Sequence, residues 1–206
     1  MKITDRSLLK RLGTGDSIEE VCSAAGLSDE QFEKWWSTQL ATRVPSSHGV
    51  RTSTANAEIL RDKWGIPHIY AERDEDLFFG YGYAMAQDRL WQLDYLRRKA
   101  TGRLSEVLGP SALETDTISH TVGMTELANA EVRRMSVQTR TRLDAFSGGI
   151  NEFILESSDL LPIEFDLLDY SPEPWSPTDS VAIWGELRWY LTGRLPVIVI
   201  PELAMQ

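Results

Sequence analysis

Cysteine is almost missing from this sequence: Cys22 is the only one in 206 residues. A single thiol forms no internal disulfide and builds no Cys-based zinc site, so a disulfide scaffold and a zinc-finger class are both excluded. Histidine is scarce as well. His48, His68 and His120 lie far apart, with no HExxH and no His pair at helical spacing. Positive charge is in deficit: 21 Lys+Arg face 31 Asp+Glu, for a formal net charge of −10 and a pI near 4.8. That balance argues against a nucleic-acid binder working by overall charge and lends nothing to binding at an anionic membrane. Long apolar runs are missing too. No stretch approaches the 18 apolar residues of a membrane-spanning helix, and MKITDRSLLKRL has no continuous apolar run of export-signal length. The expectation is therefore a chain without a membrane span, located in the cytoplasm. With 42% hydrophobic and 25% charged residues, what is present can fold: one ordinary domain with a small appendage.

Residues 1–45 form the appendage. Leu8, Leu9 and Leu12 share one helical face, and Gly13 and Gly15 end the pattern. Ser17 with Glu20, and Ser28 with Gln31, have the spacing of capping boxes and predict two further helices. The first would turn Ile18, Val21 and Cys22 inward. The second, after a turn at Gly26, carries Phe32, Trp35 and Trp36. SIEEVCSAAGLSDEQFEKWW thus looks like a helix-turn-helix. Its recognition helix, 29–39, would bring Asp29, Glu30 and Glu33 with only Lys34 toward phosphates, which is the wrong sign for DNA. The simpler reading is a three-helix packing module whose tryptophans bury against a neighbour. A stretch at 46–54 then reads as a linker, with His48 a solvated loop residue. Residues 1–50 carry 6 basic and 7 acidic side chains, so the acidity belongs to the main body at 55–206.

In that body, alternation at 57–62 and again at 65–71 predicts two strands around a turn at Lys63-Trp64-Gly65. A long helix follows from Asp74, apolar on nearly every side between Leu77 and Ala86. Gly80 and Gly82 each cost it about 1 kcal/mol relative to Ala, which makes sense where another backbone packs closely. Asp88 and Arg89, in an otherwise apolar helix, are expected to be a partly buried, paired structural feature; the pairing of neighbours with each other is the simplest form of it. The most apolar run, LPVIVIP, is followed by five residues only, an end expected to be covered by another domain, another chain or a piece lost to processing.

Gly65-Ile66-Pro67-His68-Ile69-Tyr70-Ala71, Gly80-Tyr81-Gly82-Tyr83, Ala86-Gln87-Asp88-Arg89-Leu90-Trp91-Gln92, Arg97-Arg98, Gly102-Arg103-Leu104 and Glu106-Val107-Leu108-Gly109 occur in that order. Gly148-Gly149-Ile150-Asn151 and Pro174-Trp175-Ser176-Pro177 before Asp179 follow. Together these blocks resemble the α-chain of the penicillin acylase family of N-terminal-nucleophile hydrolases, over roughly 55–206. The resemblance implies an α+β fold class. This mostly helical chain would be part of a four-layer αββα enzyme completed by a separate β-chain from the same precursor.

It further implies hydrolysis of an N-acyl or aryl amide. The nucleophile, the N-terminal Ser of the β-chain, would not be in this chain, and its α-amine would act as the base. No histidine is then required, and His68 falls in a structural strand. This chain would supply one wall of the acyl pocket from the helix after Trp175, through Leu187, Arg188, Tyr190 and Leu191. Ordinary core packing of Leu187 and Leu191 is the alternative. Trp184, Trp189 and Tyr190 would favour an aromatic or bulky acyl group. Glu202 would be the chain's one ligand to a structural Ca²⁺, or else a solvated Glu. A small-molecule amide and the β-chain are the implied partners. A DNA- or partner-binding protein with a non-catalytic acylase-like body is the alternative from another class.

Overall fold

Capping boxes open the chain where the sequence spacing places them. In the computed structural model, which describes residues 4–44, 51–54 and 56–192, helix α1 spans Asp5–Gly13, α2 spans Ile18–Ala25 and α3 spans Asp29–Ala41. Ser17 and Ser28 each accept from the backbone N–H three residues on, at 3.3 Å. Glu20 and Gln31 return the bond to the cap N–H at 2.8 Å. Leu8, Val21, Cys22 and Phe32 form a buried core, with Leu12, Trp35 and Trp36 packed around it. Two expectations are corrected. Ile18, at the first turn of α2, is exposed rather than inward. The tryptophans pack on the helices' own core, and Trp35 Nε1 donates to Asp5 at 3.0 Å.

The chain divides into two compact units, Met1–Asp94 with Thr141–Trp175, and Tyr95–Arg140 with Ser176–Gln206. The first holds a three-stranded antiparallel sheet in the order β1 (Arg51–Thr54), β2 (Ala57–Arg61), β3 (Pro67–Tyr70). β1 falls inside the stretch read as a linker. Antiparallel pairing with β2 makes it a strand by taking up the backbone groups that face β2. Leu60 lies opposite His68 and Glu58 opposite Tyr70. Ala57, Ile59 and Arg61 point to the buried face, where Ile59 packs on Tyr83 and Ala84 of helix α4 (Asp74–Thr101).

Within the same unit, α4 meets helix α8 (Val137–Glu156) through glycine. A Cβ on Gly82 would stand 2.0 Å from the Phe146 carbonyl oxygen, and one on Gly149 would stand 1.9 Å from that of Phe79. Close backbone approach is therefore what Gly82 provides, as its cost to the helix suggested. Gly80 instead faces the sheet, with Ala57 and Ile69 side chains within 3 Å of its missing Cβ. Leu77 and Tyr81 remain exposed, so the first half of α4 is less enclosed than its composition predicts.

Asp88 and Arg89 do not pair with each other. Neighbours in a helix point about 100° apart, and Asp88 instead holds the buried Arg61 at 2.9 Å while Arg89 donates to Gln92 at 2.9 Å. Arg89 has non-helical angles (φ −145°, ψ 26°), marking a kink in α4.

The module of α1–α3 is tied to the segment after α8. Gly13 abuts the backbone of Leu167, at the end of helix α9 (Ile163–Leu167). Arg43, buried, donates to Asp166 at 2.8 Å, to the Leu161 carbonyl at 3.0 Å and to Gln39 Oε1 at 2.7 Å.

The second unit contains the end of α4, short helix α5 (Ser105–Leu108), a 3-10 turn (Gly109–Ala112), α6 (Leu113–Val122), α7 (Met124–Arg134) and α10 (Pro177–Leu191). Asp116, buried on α6, accepts from the backbone N–H groups of Leu104 and Ser105, both at 2.8 Å. No described helix is long and apolar enough to cross a membrane.

Candidate functional site

The residues singled out as a pocket wall all lie on α10. Its start is determined locally. Ser176 is the cap, Pro177 fits the first helical position where no N–H is needed, and Asp179 accepts from Ser176 N at 2.7 Å and Ser176 Oγ at 2.8 Å. The Arg97 guanidinium, buried, stands 3.8 Å from that same carboxylate. Asp179 is thus a helix cap held by a cation, which explains an acid at this spacing after Trp175.

Two faces of α10 then diverge. Val181 and Ala182 are buried, and Gly185 faces Met124 of α7. Thr178 bonds Asn129 at 3.1 Å, and Arg188 pairs with Glu131 at 2.7 Å, so this side is the packed seam with α7. Lys99 holds Glu186 at 2.7 Å. The other side is apolar and open: Trp184 is 55% exposed, Leu187 40%, Tyr190 52% and Leu191 69%. Positions 184, 187 and 191 follow the helical repeat, so these side chains form one strip. An apolar strip with ion pairs on its flank is the inverse of a solvated helix face.

Leu187, Tyr190 and Leu191 are therefore exposed among the described residues. Arg188 is different. Its guanidinium is committed to Glu131, a half-exposed pair worth at most about 1 kcal/mol. Trp189 lies with Arg188 at a cavity of about 250 Å³ between α7 and α10, lined by Val122, Leu127, Val181 and Gly185. Sequence reading missed that cavity; its signal was Gly185, a mid-helix glycine whose absent Cβ would meet nothing nearer than Met124 Sδ at 3.8 Å.

His68 is exposed on β3, with Nε2 3.3 Å from Asp62 Oδ2, and no nucleophilic hydroxyl or thiol is among its bonded partners. Asp62 itself closes the β2–β3 turn. Burial pushes its carboxyl upward, but donation from the N–H groups of Ile66 and Trp64 and from His68 outweighs that and holds it below the usual range. Cys22 is buried, a small apolar side chain in the module core. The two later sequence blocks come together: Asn151 donates to the Trp175 carbonyl at 2.9 Å and accepts from Trp175 N at 2.6 Å, fixing the Trp175 backbone in the first unit.

Glu202 lies outside the described residues. Among the described residues no group of three or more His, Cys, Asp or Glu side chains is placed to hold a metal. The described part of the chain thus offers no calcium cage of its own.

A family model described as penicillin amidase matches residues 56–202. Penicillin acylase 2 proenzyme of Pseudomonas sp. (strain SE83) is 40% identical over 154 residues, which is 70% of this chain and 20% of that protein. Acyl-homoserine lactone acylase QuiP of Pseudomonas aeruginosa (strain PAO1) is 30% identical over 190 residues, 91% of this chain and 22% of that protein. That second span leaves too little of the chain outside to omit α3, so the likeness runs beyond the family model into the helical module. Among solved structures, a thermostable penicillin G acylase from Alcaligenes faecalis matches with a TM-score of 0.64 at 30% identity. The match covers 74% of this chain and 80% of that one. The chain spans about a fifth of the length of these curated relatives.

Proposed function

The chain belongs to the penicillin amidase family, and from that premise we propose that it is the smaller-chain part of an amide hydrolase that releases an acyl group from an amine. The observation that carries this reading is the family match across 56–202, joined to a fold likeness at 30% identity. The partner is the larger β-chain of the same precursor. A relative named as a proenzyme supports processing of this kind.

The reaction follows from an N-terminal Ser on that β-chain. Its hydroxyl oxygen attacks the amide carbonyl and its own α-amine takes the proton. An α-amine titrates near pH 8, so a useful fraction is unprotonated at neutral pH. The amine takes up a proton as it leaves, and water then hydrolyses the acyl-enzyme. This chain's contribution is binding. Trp184, Leu187, Tyr190 and Leu191 on α10 provide an apolar wall that takes an aromatic or bulky acyl group and keeps water from it. Arg188, fixed to Glu131, closes the flank of that wall. A Ca²⁺ with Glu202 as one ligand is the metal the resemblance implies. Its support is the place of that carboxylate in the sequence alone.

The test uses the native protein. Intact-mass analysis should find a larger chain beginning with Ser, and a panel of N-acyl and aryl amides should yield free amine. A preparation with no larger chain starting in Ser, Thr or Cys, or one that cleaves no amide in the panel, defeats the reading.

A further inference from the structure

The β2–β3 turn carries the most exposed aromatic side chain among the described residues, and it is held unusually firmly. Trp64 is 76% exposed and Ile66, two residues on, 54%. Asp62 Oδ1 accepts from Trp64 N at 2.8 Å and Ile66 N at 3.0 Å, and the Asp62 carbonyl accepts from Gly65 N at 3.0 Å. The Ile66 carbonyl takes the Asp62 N–H at 3.2 Å. Gly65 supplies the positive φ of 78° that the turn needs. Beneath it, buried Arg61 donates to the Gly65 carbonyl at 2.9 Å and is itself fixed by Asp88 and Gln87. Lys63 Nζ stands 5.2 Å from the indole centroid.

A floppy loop with a stray tryptophan needs no explanation. Here the N–H groups of Trp64, Gly65 and Ile66 all donate to Asp62, and what the tip presents is an apolar indole and an isoleucine. A rigid aromatic on a preorganised support loses little entropy on docking, which is the signature of an interface anchor. The outward face of β2 and β3 carries Glu58, Leu60, His68 and Tyr70, while the inward face is filled by Ile59 and Ala57 against α4.

We propose that Trp64, with Ile66 on the same turn, is the anchor by which this chain docks into an apolar cleft of the larger β-chain. The inference rests on the two-chain reading above. What points to that occupant is length: the relatives are about five times longer than this chain, and the turn lies inside the segment they share with it.

Oxidative footprinting of the native assembled protein reads this directly. Trp64 is expected to resist oxidation as Trp175 does, which is 5% exposed within this chain alone. Rapid oxidation of Trp64, at the rate of a free indole, overturns the proposal. In the assembled protein Trp64→Ala should weaken association with the larger chain at least about thirtyfold and Trp64→Phe less than about fivefold, read by urea-driven dissociation with native mass spectrometry. Equal dissociation of Trp64→Ala and parent overturns it. Should Trp64→Ala fail to assemble, Trp64→Phe decides: assembly restored supports the anchor, and loss with Phe as well overturns it. Protection of Trp64 by a second copy of this chain also overturns it. A native protein with no larger chain at all defeats instead the two-chain reading.

Discussion

Gly82→Ala and Gly185→Ala are the same chemical change in the interior of a helix, and the structure gives them opposite signs. On propensity alone each should gain about 1 kcal/mol, the difference between Gly and Ala in a helix. At Gly185 nothing opposes that gain. The new Cβ meets only Met124 Sδ, at 3.8 Å, an ordinary contact that also begins to fill the cavity beside it. At Gly82 the new Cβ would stand 2.0 Å from the Phe146 carbonyl oxygen and 2.9 Å from its carbon. A carbon tolerates a carbonyl oxygen at about 3.3 Å, so the backbones of α4 and α8 must separate by roughly 1.3 Å at that point.

No rotamer change relieves a clash with backbone, so the cost belongs at the upper end of overpacking, about 3 kcal/mol. Set against the propensity gain, the net is a loss of about 2 kcal/mol. The reciprocal contact, Gly149 on Phe79, lies on the same seam, so the loosened packing is shared. The assay is urea unfolding of the assembled protein carrying each substitution. Gly185→Ala should raise the midpoint and Gly82→Ala should lower it. If Gly82→Ala raises the midpoint alongside Gly185→Ala, the helices do not approach as described and the reasoning fails.

Two further outcomes follow from buried charge. Arg43→Met strips Asp166 of its nearer cation and leaves the Leu161 carbonyl and Gln39 without their donor, while Arg6 at 3.3 Å compensates in part. The expected cost in urea unfolding is about 3 kcal/mol, and a loss under 1 kcal/mol would show the pair to be no more than a surface contact. Asp116 is held below the ordinary carboxylate range: burial pushes it up, but donation from Ser105 and Leu104 prevails. A depressed folded-state pKa means that its stabilisation is present above the unfolded value near 3.9 and fades as pH falls through the lowered folded value. The stability gap between the parent and Asp116→Asn should thus be full at pH 7 and shrink below about pH 4. A gap independent of pH contradicts that sign.

Several parts of the fold were legible because their causes are local. The boxes at Ser17 and Ser28 depend on atoms three residues apart, and both form. The β2–β3 turn needs only Asp62, Gly65 and the alternation around them. Misreadings arose where a partner was distant in sequence. Asp88 beside Arg89 suggested a pair, yet helical geometry turns them apart and the cation for Asp88 comes from β2. Strand β1 looked like linker because a four-residue strand is made by the neighbour that pairs with it.

At the candidate site the same division holds. The family resemblance placed a helix after Trp175, and the sequence put Leu187 and Leu191 one turn apart on it, since periodicity is a property of a single segment. Whether that strip was core or surface was open, because an apolar stripe is identical in one dimension whether it is covered or not. Only the tertiary structure decided it. α7 takes the face bearing Val181, Ala182 and Gly185 and commits Arg188 to Glu131, and among the described residues Leu187, Tyr190 and Leu191 lie exposed. Burial is a relation between segments: which face of a helix is free depends on where its neighbours pack, and one element's sequence does not contain that.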